Sequence, residues 1–139
     1  MSWPEWYMQV WDALVTQIQT VEGVDKERVF YGEKFPPDNY PSVYVCPLPI
    51  NMVPASTKET LNTVNFDIGV VVHSDDAKQG AKDALTLVGK IQDKVISDRT
   101  LGNLCANLEV IQIVPDWRRR NRGVETFWSG LVIQLIEIT

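Results

Sequence analysis

The sequence predicts an α+β fold, with an antiparallel or mixed sheet of about five strands and two main helices packed mostly on one face. Two observations lead to this prediction. Apolar residues recur with helical spacing near the N-terminus and over residues 77–95, and strand-like stretches lie between and after these regions. The length of 139 residues and an average composition, 45% hydrophobic and 22% charged, indicate one domain spanning residues 1–139.

The first helix is predicted to open at Trp3 and Pro4, because proline is tolerated in the first turn. It is predicted to end before Gly23, after an apolar stripe made of Tyr7, Val10, Trp11, Leu14, Val15, Ile18 and Val21. The tryptophans of this region exceed what a narrow stripe needs. They indicate either a protein interface or packing beneath a loop, and they are Trp3, Trp6 and Trp11.

Two short strands are predicted next, over residues 28–32 and 41–46, paired with each other and separated by a proline turn at 36–39. Residues 47–54 are predicted to be a loop or a projecting arm, because three prolines in eight residues remove main-chain donors. This segment is apolar for an exposed loop. We therefore expect it to contact a neighbouring subunit through Leu48, Ile50, Met52 and Val53.

Residues 60–73 alternate between apolar and polar, which predicts a long strand with one face in water. Ser74 or Asp75 is expected to cap the second helix, whose buried stripe is predicted to be Ala77, Ala81, Ala84, Leu85, Val88, Ile91 and Val95. Two final strands are predicted over 108–114 and 124–138. The last is apolar on both sides, so one face should meet the helices and the other a partner subunit.

The residue content does not predict an enzyme or a cofactor site. The sequence lacks the common phosphate-binding, dinucleotide, zinc-protease and serine-hydrolase motifs, and it has one histidine, His73. The acidic residues beside it, Asp75 and Asp76, are explained by a helix N-terminus, which favours negative charge. Cys46 and Cys105 are expected to be free thiols, and neither a signal peptide nor a membrane-spanning run is predicted. We expect a soluble protein made in a reducing cytoplasm.

Four arginines and a tryptophan form the strongest charge feature of a chain whose net charge is -5. They lie at the predicted tip of the last hairpin and are Trp117, Arg118, Arg119, Arg120 and Arg122. Guanidinium groups and an aromatic ring suit phosphate and bases, and they equally suit an acidic protein surface. A subunit or assembly contact, a DNA-facing lumen and a solvated turn all remain open.

The layout resembles that of the tail terminator, or tail-completion, proteins of long-tailed bacteriophages, which are small α+β minor tail proteins. The resemblance covers essentially the whole chain: an N-terminal helix over 6–21, a strand pair over 29–46, an apolar loop over 47–57, the long strand ending at His73 and the helix over 75–95. Two final strands follow. The most specific part is Asp98-Arg99-Thr100-Leu101-Gly102 and its position after the second helix. Gly102 is also predicted to end a turn there, with Leu101 in the core.

The resemblance implies a structural virion protein without enzymatic activity or cofactor, assembled in the host cytoplasm and located in the tail or neck. It implies a homohexameric ring with head-to-tail contacts that caps the tail tube, stops its polymerisation and joins the tail to the head. The implied partners are other copies of the chain, the tail tube protein and the head-tail connector or neck protein, with passing DNA contact in the lumen and no membrane. The alternatives are a head-completion or neck ring protein, and a small nucleic-acid-binding module using the Trp117 and arginine hairpin.

Overall fold

The computed structural model describes residues 3–32, 40–54, 60–115 and 126–138. Within these ranges the chain forms two α-helices, a short 3-10 helix and six strands. In chain order they are α1 (Trp3–Gln19), the 3-10 helix (Lys26–Arg28), β1 (Val29–Tyr31), β2 (Ser42–Pro47), β3 (Asn51–Pro54), β4 (Thr60–His73), α2 (Ala77–Ile96), β5 (Asn107–Val114) and β6 (Thr126–Ile138).

One mixed sheet contains all six strands, in the order β1-β2-β4-β6-β5, with β3 paired to the first residues of β4. The strands β1 and β2 run parallel, and every other pairing is antiparallel. The long central pair, β4 with β6, keeps one register from Leu61 opposite Ile138 to His73 opposite Thr126. The predicted fold class is therefore confirmed, with β3 as a sixth strand.

Both helices pack on one face of this sheet. Alternate residues of β4 and β6 point into the core, because side chains along a strand alternate between the two faces. The helices contribute residues at helical spacing, including Val10, Leu14 and Ile18 from α1 and Val88, Ile91 and Val95 from α2. The central strands contribute Val64, Phe66, Ile68, Val70, Val72, Leu131, Ile133 and Leu135.

The opposite face of β4 is less polar than the alternation predicts. Val71 is fully buried there, in a second cluster with Tyr44 and Trp128. Tyr44 lies opposite Gly69 in the sheet, and the absence of a side chain on Gly69 leaves room for Trp128 to stack on the tyrosine at 5.9 Å. The prediction of a wet face is wrong in this part of the strand, because a glycine between two aromatic residues allows them to cover it.

Residues 51–54 are a strand and not the predicted loop or arm. Asn51 lies opposite Thr63 and Pro54 opposite Thr60, so the segment extends the sheet beside β4. Prolines occur only at the strand ends and in the connection, where a missing N–H costs no ladder hydrogen bond. Pro47 is the last residue of β2, and Pro54 is the last residue of β3.

Helix α2 is rotated relative to the predicted stripe. Its buried residues are Gly80, Ala84, Leu87, Val88, Ile91 and Val95, whereas Ala77, Ala81 and Leu85 are exposed. Gly80 explains the difference, since a Cβ built on it would lie 2.1 Å from Cδ2 of Phe127. The helix approaches β6 through its glycine, which sets the face that the later turns bury. Asp76 caps the helix, with its side chain accepting a hydrogen bond from the Gln79 N–H at 3.0 Å, where Ser74 or Asp75 was predicted.

Candidate assembly surfaces

The strand β5 forms one edge of the sheet and carries two exposed aliphatic side chains. Ile111 is 48% exposed and Ile113 is 40% exposed. Among the described residues β5 pairs only with β6, so its outer main-chain groups face away from the sheet. We call this strand and its two isoleucines the β5 edge. An edge strand presents N–H and C=O groups that can pair with another strand.

A β-bulge lies in the middle of the β5 edge. Val110 is opposite Ile133, but the next aligned residue is Gln112, opposite Val132, so Ile111 is the extra residue. Towards the start of the strand, Nη1 of Arg99 donates a hydrogen bond to the Leu108 main-chain oxygen at 3.2 Å. This guanidinium already satisfies one main-chain group, which leaves the second half of the strand as the more accessible part.

Among the described residues, the three-residue strand β1 lies at the opposite end of the strand order from β5, next to α1, and it carries an aromatic surface. Tyr31 is 52% exposed, and its ring contacts Trp11 edge to face at 5.4 Å. Its hydroxyl donates a hydrogen bond to Oδ1 of Asp12 at 2.8 Å. Met8, one turn before Asp12 on α1, is also exposed. We call Met8, Trp11, Asp12 and Tyr31 the β1 patch.

The hydrogen bond with Asp12 also changes the acidity of Tyr31. The pKa of the phenol is raised because Asp12 accepts a hydrogen bond from the neutral form, because the side chain is partly desolvated, and because the carboxylate repels a phenolate. Two neighbours in the chain, Asp12 and Trp11, thus contact the side chain of Tyr31. Rigid aromatic side chains lose little conformational entropy on binding, which suits an interface.

The turn after α2 is built from the segment that carries the resemblance. The Asp98 carboxylate accepts hydrogen bonds from the Gly102 N–H at 2.9 Å and the Thr100 hydroxyl at 3.1 Å. Leu101, Gly102 and Asn103 all have positive φ, and Leu101 is buried in the core. The predicted roles of Leu101 and Gly102 are therefore confirmed. The Asp98 carboxylate bonds across a left-handed stretch of backbone, a conformation that glycine adopts readily, asparagine less often and leucine rarely.

This turn is tied to the first helix and closed by a contact of its own. Nε1 of Trp6 on α1 donates a hydrogen bond to the Leu104 main-chain oxygen. The Cys105 thiol lies 3.6 Å from the Arg99 oxygen, and burial, followed by the nearby Asp98 carboxylate, raises the pKa of this thiol to about 11. Trp6 therefore packs inside the chain. So does Trp11 in part, because its Nε1 donates to the Val45 oxygen at 3.0 Å.

The structure places the sequence-predicted contact residues in three groups. Leu48 and Ile50 are half-buried beside β4: the Leu48 N–H donates to the Asn65 oxygen at 3.0 Å, and Ile50 packs against the core of its own chain. Met52 and Val53 lie in β3, but their side chains are outside the described part. The residues of the predicted hairpin lie outside the described residues altogether: Trp117, Arg118, Arg119, Arg120 and Arg122.

Sequence reasoning missed the exposed residues at both edges. The β5 edge had a signal, since the alternation of Leu108 and Val110 slips by one residue before Ile113, as a bulge at Ile111 requires. Met8 had a weaker signal, because it is apolar but lies off the buried stripe of α1. Tyr31 had none, since its exposure follows from β1 being the end of the sheet.

Comparison with known proteins gives no match, either to a protein-family model or among curated proteins. Within the described ranges, neither helix is both long and apolar enough to cross a membrane.

Proposed function

We propose that this protein is a structural component that assembles into a closed ring of its own copies. We further propose that the ring caps the tail tube of a long-tailed bacteriophage, stops its polymerisation and joins the tail to the head. The main support for assembly is the position of the five large hydrophobic side chains exposed in the described chain. Three of them, Tyr31, Ile111 and Ile113, lie on the edge strands β1 and β5, and a fourth, Met8, lies on α1 one turn before Asp12, which contacts Tyr31. The phage role rests on the resemblance in element order and in residues 98–102.

Contact between copies would remove apolar surface from water at both edges. Complete burial of a side chain such as isoleucine contributes about 1.5–3 kcal/mol relative to full exposure. Ile111 and Ile113 are about half-exposed, so together they supply roughly 1.5–3 kcal/mol, and Met8 and Tyr31 supply a similar amount at the other edge. This gain must offset the entropy of association, which favours a ring in which every copy makes two contacts.

The two edges differ in chemistry, which supports head-to-tail contacts. The β5 edge is aliphatic and the β1 patch is aromatic and acidic. A two-fold dimer through either edge would leave the other exposed, whereas a head-to-tail arrangement uses both and makes a ring when the rotation closes. Leu85, the fifth exposed residue, lies on α2 and not on an edge strand, and it has no part in this proposal.

The remaining predicted partners belong to the same proposal. The tail tube protein and the head-tail connector would meet surfaces of the ring that the contacts between copies leave free. The arginines 118–120 and 122 belong to the connection between β5 and β6, so they follow the β5 edge in the chain. They would contact a neighbouring copy, a partner protein or the DNA in the lumen.

The first test is the mass of the purified chain by light scattering after size exclusion, over a range of protein concentrations and at low and high salt. Electron microscopy of the same fractions shows whether any oligomer is a ring. We expect rings of about six copies. A monomer or a two-fold dimer under every condition would contradict the ring, and a monomer that binds DNA with steep salt dependence would favour the nucleic-acid-binding module.

The tails that form in the absence of the protein distinguish a tail terminator from a neck protein. In a phage that carries this gene, a stop codon in it should give tails of uncontrolled length, because the growing tube is not capped. Tails of normal length that fail to join heads would instead indicate a head-completion or neck ring.

A further inference from the structure

We propose that adjacent copies in the ring are joined by strand addition: β5 of one copy pairs antiparallel with β1 of the next, so that one sheet continues around the ring. This inference rests on the proposed ring and names its contact. The occupant of the β5 edge is thus a second copy of this chain, and the occupying segment is Val29–Tyr31 with the residues just before it.

The directions of the strands allow this pairing. The strand β1 is parallel to β2, and β2, β4, β6 and β5 then alternate in direction along the sheet. The two edge strands therefore run in opposite directions. When a second sheet is placed beside the first in the same orientation, β5 meets β1 of the new copy antiparallel, the geometry with the more stable hydrogen-bond ladder.

The β5 edge has only part of the protection that keeps edge strands apart. Soluble proteins protect such edges with lysine, proline, charged side chains or bulges. The strand Asn107–Val114 contains no lysine and no proline, one charged residue, Glu109, and the bulge at Ile111. Its two exposed isoleucines flank Gln112. A strand with this composition is suited to pair with another strand, with its side chains packing on the partner.

The accessible part of each edge strand limits the register in which β5 of one copy can pair with β1 of the next. Arg99 satisfies the Leu108 oxygen, which favours the second half of β5 as the pairing segment. At the other edge β1 has three residues, preceded by the 3-10 helix Lys26–Arg28. Antiparallel pairing brings the end of β5 beside the start of β1. Gln112 of one copy should therefore lie nearer to Glu27 of the next than Glu109 does.

The β1 patch is a further reason to expect that the strand paired with β5 comes from a second copy of the chain and not from an unrelated protein. A strand added at β5 must bring side chains that cover Ile111 and Ile113. β1 brings Tyr31, which Asp12 and Trp11 hold in place at the same edge. One contact would then cover the exposed apolar residues of both edges. A strand from another protein at β5 would cover Ile111 and Ile113 but leave the β1 patch exposed.

The experiment is cross-linking of paired cysteines across the contact. In a Cys46→Ala background, with the buried Cys105 retained, one variant carries Gln112→Cys and Glu27→Cys, and the matched control carries Glu109→Cys and Glu27→Cys. All of these positions are exposed. A short bismaleimide is added under conditions where the wild-type chain forms rings, and the products are separated by denaturing electrophoresis.

We expect a ladder of cross-linked multimers for the Gln112 and Glu27 pair, at least several-fold stronger than for the Glu109 and Glu27 pair. Each single-cysteine variant should stay uncross-linked. Dimers from Gln112→Cys alone would show a two-fold contact between β5 strands and overturn the inference. A ladder that favours the Glu109 pair, or rings without any ladder, would overturn it while leaving the ring intact. A wild-type chain that never assembles would overturn the ring and this contact together.

Discussion

Apolar residues are buried to different extents in the middle of the sheet and at its edges. In the middle, β4 and β6 pair along thirteen positions, and their alternate residues are fully buried under both helices. At the edges, β1 has three residues and β5 has a bulge, and large side chains there remain about half-exposed. Folding alone buries the residues of the middle. The residues of the edges gain comparable burial only when another chain covers them.

The comparison separates two kinds of substitution. Changes in the middle should lower the free energy of unfolding because they leave cavities in a close-packed interior. Changes at exposed edge positions should leave that free energy within about 0.5 kcal/mol, since surface substitutions usually do. Edge changes should instead alter assembly, so stability and assembly can be measured as independent readouts.

The largest expected effect is on stability in the middle of the sheet. Phe66 is fully buried, and its ring stacks against Tyr7 at 5.4 Å and contacts Trp11. Phe66→Ala should lower the free energy of unfolding by about 3–5 kcal/mol, measured by urea denaturation at a protein concentration where the chain is monomeric. The control is Ile111→Ala, which should cost far less. Similar losses for both would mean that the β5 edge is part of the folding core.

A smaller effect concerns the rigidity of the β1 patch. Asp12 raises the pKa of Tyr31 chiefly by accepting its hydrogen bond. In Asp12→Asn the carboxylate charge is lost, so the pKa of Tyr31 should fall towards its ordinary value. Ultraviolet titration of the tyrosines, with Tyr31→Phe to identify the signal, measures the change. An unchanged Tyr31 titration would mean that the hydrogen bond does not hold the ring in solution.

The smallest effect concerns the Cys105 thiol, which lies in the turn after α2. The pKa of Cys105 is raised to about 11, so this group stays a neutral thiol at pH 9 in the folded protein. Because its folded pKa is raised, the associated stability is complete below about pH 9 and is lost as the pH rises through about 11. Iodoacetamide at pH 9 should therefore modify Cys105 much more slowly in the folded chain than in urea. Equal rates would show that the turn opens readily.

The sequence predicted the strands and helices well, because hydrophobic periodicity decides them. The alternation over Thr60–His73 matches β4, and the predicted order of the other elements is observed. Prediction from the sequence failed where one or two residues change the packing or the strand pattern. Gly80 rotates the buried face of α2, Gly69 allows an aromatic cluster on the second face, and prolines at strand ends conceal β3.

The candidate surfaces were harder to predict than the fold. Exposure at an edge depends on strand order, and a sequence pattern does not specify which strand ends the sheet. Leu48 and Ile50 were predicted to contact a partner because they are apolar in a proline-rich segment, yet Ile50 packs against its own core. Their role in assembly, and that of the arginine hairpin, stays a prediction.

The central claim is that the exposed residues of the sheet edges serve assembly and not folding. The most direct measurement is the light-scattering mass of the double variant Ile111→Ser and Ile113→Ser beside Leu85→Ser, whose leucine is as exposed as Ile113, at 40%, but lies on α2. We expect the edge variant to be a folded monomer where the wild-type chain and the Leu85→Ser control form rings. Rings of unchanged mass and concentration dependence in the edge variant would contradict the account.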